Sequence, residues 1–326
     1  GEGRRDSARM RVRRALTAST IVASAQALSL EAAVVVIPHP AKVASGGEDA
    51  WFAISRSFGV FDGVGGWQEE GVDPGLFSRA FARATADAIQ EQQAREPTPA
   101  DVGKSVDLEA AMTTGLSRVK EIGTSTACIV HISADGIFQA FNVGDSGFRL
   151  LRPDVRGGQL SVHKRSREQQ HYFNCPFQLG TRSRDRPSDG EEYSATVQPG
   201  DLIVLVTDGV TDNLSDAEIC DTLRSPLAAG EPAAALAQVL ASCAHAASLE
   251  THRNTPFTEG ARRQGFNYPG GKPDDVTVLC VKIVDDDAVF NDTSLGESRE
   301  AASPAEDKCH GTDPLGRRAR SSRSKL

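Results

Sequence analysis

No apolar run of about 18 residues occurs in the sequence, so no membrane-spanning helix is expected. No C-x-x-C pair occurs either. The six cysteines, at 128, 175, 220, 243, 280 and 309, stand singly, and Cys128 and Cys280 lie inside apolar runs. That reads as reduced, partly buried thiols of an intracellular protein. An excess of positive charge is missing: the net charge of −8 weighs against non-specific nucleic-acid binding. Histidine is sparse and unpaired; His39, His131 and His171 read as structural or surface residues rather than ligands. Several catalytic signatures are absent. There is no G-x-x-x-x-G-K-[ST] loop, no G-x-G-x-x-G fingerprint, no EF-hand acid spacing and no G-x-S-x-G elbow. Internal repeats are absent as well.

What is present is organised around one long folded region. Residues 29–287 are expected to form a single domain, between a basic segment at 1–28 and a basic, disordered tail at 288–326. The ends carry conflicting addresses. From Met10, "MRVRRALTASTIVASAQALSL" contains no acid and has the composition of an organelle transit peptide; a weak signal peptide and a plain disordered arm are the rival readings. Ser324, Lys325 and Leu326 match the peroxisomal import address. The expected compartment is therefore an organelle: the peroxisome from the last residues, a mitochondrion or plastid from the first.

Within the folded region, "AAVVVIPHP" reads as a strand stopped by Pro38 and Pro40. "DAWFAIS" and "SFGVFD" are short β-prone runs. Helical spacing then appears from Pro74 to about Gln93, and a second helix is expected from Leu108 to about Glu121. "STACIVHIS" and "GIFQAFNVG" flank a hairpin turn at Ala134, Asp135 and Gly136. "SGFRLLR" and "GQLSVHKR" continue the strand pattern. Residues 167–190 show no period and read as a long excursion. "DLIVLVTDG" is a strand apolar on both faces, helices are expected over 215–224 and 231–250, and a loop over 251–273 leads to the final strand "DDVTVLCVKIV". Strands come in hairpins instead of alternating with helices. That favours antiparallel sheets with helices on their outer faces.

The informative feature is where the acids fall. Asp62 ends an apolar strand and is followed by glycine; Asp208 has the same form. Asp274 and Asp275 precede the last strand, Glu48 and Asp49 precede "AWFAI", and Asp145 follows "AFNVG". A single Asp-Gly is most often a turn. Several carboxylates at the ends of buried strands are another matter, because together they lose water and repel one another unless cations lie between them. The donors are all oxygen, which selects Mg²⁺ or Mn²⁺ over Zn²⁺. Gly63, beside Asp62, leaves its carbonyl free to approach a metal.

The segments "GGEDAWF", "FGVFDGVGGW", "STACIV", "NVGDSGF", "LVTDGVTDN" and "KPDDVTVL", in this order, resemble the metal-dependent Ser/Thr protein phosphatases of the type 2C class. "VIPHPAK", "GVDPGLFSRAF", "EQQHYFNCPFQLG" and "GGKPDD" are similar to its organellar branch, which includes the mitochondrial T-cell activation phosphatase homologue and plant members. The resemblance covers about residues 30–285. It implies an α+β fold, a four-layer α/β/β/α sandwich of two packed antiparallel sheets flanked by helices. It also implies two Mg²⁺ or Mn²⁺ ions, and a weaker third. Asp62 would bridge both ions, Glu48 and the Gly63 carbonyl would complete one site, and Asp208 and Asp274 the other. Asp49 would hold metal-bound water, and Asp145 would help hold the third ion. Asp275 replaces the usual asparagine and would support the ligands from behind. Asp62, Asp208 and Asp274 would act catalytically through metal-bound water.

Two positions depart from the family. Val64 stands where many members have a histidine that protonates the leaving group, and Ala44 stands where many have a phosphate-holding arginine. Lys42 and Arg79 are the candidates for that clamp. The implied reaction is attack on phosphoserine or phosphothreonine by a hydroxide bridging two ions about 3.5 to 4 Å apart. The excursion, with Arg165, Arg167, His171 and Tyr172, is the candidate substrate flap. Expected partners are phosphorylated proteins, without nucleic acid or a membrane span, and the expected state is a monomer. Two alternatives stand beside this reading: an inactive phosphoprotein-binding scaffold, and a small-molecule phosphate monoesterase on the same site.

Overall fold

The computed structural model of the protein describes residues 28–95, 106–154 and 158–285. The transit-like segment before Leu28, the C-terminal tail with its import tripeptide, and Cys309 lie outside these residues. The chain runs β1 (Leu28–Ile37), β2 (Ala50–Ile54), β3 (Ser57–Phe61), α1 (Pro74–Ala94), α2 (Leu108–Arg118), β4 (Thr124–Ser125), β5 (Ala127–Ile132), β6 (Ile137–Val143), β7 (Gly147–Pro153) and β8 (Leu160–Arg165). It continues through β9 (Gln170–Tyr172), β10 (Cys175–Pro176), β11 (Leu179–Gly180), β12 (Glu191–Thr196), β13 (Leu202–Val206), α3 (Asp208–Thr211), α4 (Asp216–Ala228), α5 (Ala233–Leu249), α6 (Pro256–Arg263) and β14 (Val276–Asp285).

Two five-stranded sheets carry the fold. One has the order β1-β14-β13-β7-β8 and the other β12-β6-β5-β3-β2, with every neighbour antiparallel. Alternation along each strand explains why so many read as apolar on both faces. In β13, Leu202, Val204 and Val206 face α4 and α5 and pack with Leu223, Leu236 and Leu240. Ile203 and Leu205 face the other way, into a layer shared with Val60, Val130, Phe138 and Phe148. Phe138 and Phe148, one from each sheet, meet with ring centroids 4.9 Å apart. Beyond the second sheet, Phe52, Phe61 and Ile129 pack against Phe77, Phe81 and Met112 of α1 and α2. Three apolar layers thus hold four structural layers together, and the expected α/β/β/α sandwich is present.

The helices begin where capping residues stand. Asp73 accepts from the Gly75 N–H before Pro74, and Asp107 from the Ala110 N–H. Ser215 and Glu218 form a reciprocal capping box. The structure differs from the sequence reading in four places. The second helix ends at Arg118, and α4 runs on to Ala228 through Pro226. The excursion at 167–190 contains the β9–β10 pair and β11, which pairs with β4. The expected loop at 251–273 contains α6, which Thr255 caps and Pro256 starts. Eight residues are too few for a clear apolar period, so only the cap signalled it. The cysteines described are all free thiols. No described helix is long and apolar enough to cross a membrane.

Candidate metal centre

Strand register brings the acids together. Ala50 pairs with Phe61, Ala127 with Val143, Gly147 with Val206, Val206 with Val278, and Ile37 with Val276. Each pair sits at the same end of its sheet. The residues just beyond, Asp49, Asp62, Asp145, Asp208, Asp274 and Asp275, therefore meet along one edge of the sandwich.

Asp62 is half-buried at the end of β3, its N–H donating to Thr126 Oγ1 at 3.2 Å. Gly63 must be glycine: a Cβ there would lie 2.7 Å from the Glu48 carbonyl oxygen and 3.0 Å from that of Pro74. Asp49, before β2 at the same open end of that hairpin, reaches the opposite sheet. Its Oδ2 accepts from Thr207 Oγ1 at 2.8 Å and Thr277 Oγ1 at 2.6 Å. Glu48 is buried, with Oε2 accepting from Lys42 Nζ at 2.6 Å and Oε1 from the Gln68 amide. Asp275 accepts the backbone N–H of His39 at 2.6 Å and that of Glu48 at 2.8 Å. It thereby ties the loop that carries Glu48 to the start of β14. Asp145 Oδ2 accepts from Gln170 Nε2 at 3.2 Å.

The electrostatics are those of crowded carboxylates short of cations. Burial, then Asp208, Asp49, Asp274 and Asp145, push Asp62 well above the usual range. Burial and Asp275 do the same to Asp49. Burial and Asp208 push Asp145 up to about 8 and raise Asp274. Asp208 goes the other way: burial would raise it, but the charge and hydrogen bond of Lys272, together with hydrogen bonds from Asp62 and Asp212, bring it below the usual value. Two ammonium groups lie among the acids. Lys42 Nζ is 2.6 Å from Glu48, 3.4 Å from Asp275 and 3.8 Å from Asp274. Lys272 Nζ is 2.7 Å from Asp208, 2.6 Å from Asp212 and 3.4 Å from Asp274.

As the side chains stand, no three carboxylates, histidines or cysteines among the described residues surround a common ion-sized point. The donor set nevertheless fits hard divalent ions. Asp49 Oδ1, Asp145 Oδ1 and Asp208 Oδ1 are buried and have no hydrogen-bond partner. Orphaned carboxylate oxygens at this density are stable only beside positive charge.

Reading the sequence missed three participants. Asp212 lies one helical turn after Asp208 and was visible within "LVTDGVTDN"; burial raises it well above the usual range. Lys272 was visible only as a letter in "GGKPDD". Gln170, from the excursion, had no signal. The four flap candidates lie outside the acid cluster, three of them paired with other acids. Arg165 pairs with Asp216 at 2.8 Å and Arg167 with Glu191 at 2.5 Å. His171 meets Asp185 at 3.0 Å and stacks on Phe177, while Tyr172 is exposed. Arg165 and Tyr172 line a cavity of about 660 Å³ that reaches Asp212. Of the two clamp candidates, Arg79 is bound to the Gly47 carbonyl at 3.1 Å and to Asp73 at 3.4 Å. Lys42 remains at the acids. Val64 starts the turn Gly65–Glu70 and donates its N–H to the Thr124 carbonyl.

Comparison with known proteins agrees with this architecture. The model of the Stage II sporulation protein E (SpoIIE) family matches residues 71–284. The probable protein phosphatase 2C 80 of Arabidopsis thaliana is 40% identical over 263 residues, covering 80% of this chain and 60% of the relative. The probable protein phosphatase 2C 55 of the same plant is 41% identical over 246 residues, 74% of this chain and 49% of the relative. The protein phosphatase PTC7 homolog of Danio rerio is 38% identical over 247 residues, 72% of this chain and 80% of the relative. The chain thus spans only about half to three-fifths of the two plant proteins. Among solved structures, the photosystem II phosphatase PBCP superposes with a TM-score of 0.68 at 27% identity, covering 78% of this chain and 98% of that one. The catalytic domain of the serine threonine protein phosphatase PstP, solved with two manganese ions, shares the fold with a TM-score of 0.52 at 20% identity, covering 79% of this chain and all of that one. A sandwich with its acids gathered on one edge, a family model over most of the folded region and this degree of identity lead to one conclusion: the chain belongs to the type 2C protein phosphatase family.

Proposed function

We propose that this protein is a metal-dependent phosphatase that hydrolyses phosphoserine and phosphothreonine in proteins. The observation that carries the reading is the convergence of Glu48, Asp49, Asp62, Asp208 and Asp274 from both sheets, with buried carboxylate oxygens left without a partner. Relatives named as protein phosphatases support it.

Glu48, Asp62 and the Gly63 carbonyl would hold one Mg²⁺ or Mn²⁺, and Asp62, Asp208 and Asp274 a second. When bound, such ions lower the pKa of shared water toward neutrality and offset charge on phosphoryl oxygens. The remaining work belongs to the chain. Thr207 and Thr277 grip one oxygen of Asp49 and leave the other buried without a hydrogen-bond partner. Asp275 holds the Glu48 backbone in register with Asp274. Lys42 is the ammonium nearest Glu48, at 2.6 Å, and is more exposed than Lys272. It is suited to turn from the carboxylates to a phosphoryl oxygen as substrate arrives. With Val64 at the family's histidine position, the proton for the departing serine or threonine oxygen comes from water in the site.

Hydrolysis of an aryl phosphate should require Mn²⁺ or Mg²⁺ and stop with chelator. Asp208→Asn should lower kcat roughly 100-fold or more while leaving the circular dichroism spectrum unchanged. Normal turnover by that variant would remove Asp208 from the mechanism. Comparing phosphopeptides with small phosphate esters tests the substrate class: faster turnover of metabolite phosphates would favour a monoesterase. Every acid that the family uses is retained, which weighs against an inactive scaffold.

A further inference from the structure

Lys272 makes more of its charge than any other basic side chain at this edge. An ammonium carries three N–H donors and no acceptor. Here two go to carboxylates, Asp208 at 2.7 Å and Asp212 at 2.6 Å, and a third carboxylate, Asp274, lies within ion-pair distance at 3.4 Å. The Phe257 ring lies 5.1 Å away, close enough for attraction between cation and ring face. The side chain is only 15% exposed.

The backbone is pinned as closely as the head group. The Lys272 N–H donates to Asn213 Oδ1 at 2.8 Å, and Asn213 Nδ2 donates back to the Lys272 carbonyl at 2.9 Å. The same Nδ2 also donates to the Gly209 carbonyl, and Asn213 is fully buried. Thus one amide fastens Lys272 to the helix that begins with Asp208. Gly271, just before it, packs so tightly on the end of α5 that a Cβ would lie 2.2 Å from the Ala247 carbonyl oxygen. Such anchoring is more than a surface ion pair needs.

We propose that Lys272 is a tethered cation built into the metal centre, holding Asp208, Asp212 and Asp274 together where a third divalent ion would otherwise be required. The inference rests on the metal-dependent reading above and concerns how many ions this chain takes. A third ion near Asp145, Asp208 and Asp212 would have to shed water and exchange with bulk solution. The lysine is always present, at an effective concentration set by its short tether. Its ammonium also lies within 3.4 Å of Asp274, so it joins the second ion's ligands to Asp212. Asp274 stands between Lys272 on one side and Lys42, at 3.8 Å, on the other. Charge therefore alternates along the edge from Glu48 to Asp212.

The test is to count Mn²⁺ bound at equilibrium dialysis by the wild-type chain and by Lys272→Met, and to melt both in chelator. The wild-type protein should hold two Mn²⁺ and the variant three. In chelator the variant should melt about 5 °C or more below wild type, with the gap closing as Mn²⁺ is added. Equal ion counts in the two proteins overturn the inference. Should Lys272→Met fail to fold without metal, the pair Lys272→Met with Asp212→Asn decides. Removing the carboxylate that the ammonium neutralises should restore folding and return the count to two. A double variant less stable than Lys272→Met alone makes the lysine a packing element and ends the proposal. Wild-type protein that binds three ions sinks this inference alone; wild-type protein that binds none sinks the phosphatase reading with it.

Discussion

Asp275 illustrates what single residues contribute at this edge. Family relatives usually carry asparagine there, and the structure gives the side chain two backbone N–H groups to accept, from His39 and Glu48. An asparagine keeps an acceptor and loses the charge toward Lys42. Asp275→Asn should therefore retain activity within about tenfold, while Asp275→Ala, which orphans both N–H groups, should cost about 2 to 4 kcal/mol in urea unfolding. Equal losses from the two substitutions would show that charge, not hydrogen bonding, is what matters. His131 is a second case. It is buried, its Nδ1 is 2.8 Å from Ser57 Oγ, and burial with Arg56 nearby pushes its pKa down to about 4. The folded protein keeps this ring neutral while the unfolded chain protonates it below about pH 6.5. The unfolded state then binds the extra proton, so this contribution falls as pH drops from about 6.5 to 4, by up to about 1.4 kcal/mol per pH unit. His131→Gln should flatten that part of the stability profile. An unchanged slope would mean the ring is not held neutral.

At the scale of elements, ends matter more than middles. α4 starts at a reciprocal box in which the Glu218 N–H donates to Ser215 Oγ and the Ser215 N–H to Glu218 Oε2 at 2.8 Å. Ser215→Ala should cost about 1 kcal/mol, a fall of roughly 2 to 4 °C in Tm. A shift within error would mean that burial of Ile219 and Leu223 alone holds the helix start. Most elements were legible in the sequence for this reason. Pro74 ahead of a helical period, and Pro38 after "VVVI", are local signals that need no distant partner. α6 was missed because its eight residues cover barely two turns. The β9–β10 and β11–β4 pairs were missed because strands of two or three residues carry no alternation. Within the site, the acids that follow or precede long apolar strands were legible; Asp212, Lys272 and Gln170, which sit on short or irregular backbone, were not.

For the whole molecule, the layer between the sheets decides whether the acidic edge is assembled at all. Phe148 is fully buried there, 4.9 Å from Phe138 and 5.3 Å from Tyr193 by ring centroids. Phe148→Ala should cost about 3 to 5 kcal/mol. Because both sheets supply acids to the candidate centre, it should also weaken Mn²⁺ binding although it touches no acid. A variant that unfolds more easily yet binds Mn²⁺ as tightly as wild type would argue that the sheets hold their register without that layer. Metal and fold are linked in the other direction too. Ions that bind only the folded edge should raise Tm with concentration, and chelator should reverse the rise.

Taken by itself, the sequence determined where the long strands and most helices form, that many strands are buried on both faces, and that acids sit at strand ends. Those properties are set by near neighbours: period, caps, prolines and glycines. Only tertiary structure decided which groups meet. Lys272 reaches Asp208 across 64 positions, and Asp275 receives the Glu48 N–H across 227. Such contacts depend on strand order and register, where a shift of one residue turns every side chain to the opposite face. The order β1-β14-β13-β7-β8 is not written in any one segment; it follows from burying three apolar layers at once, and the charge pattern of the edge follows from it.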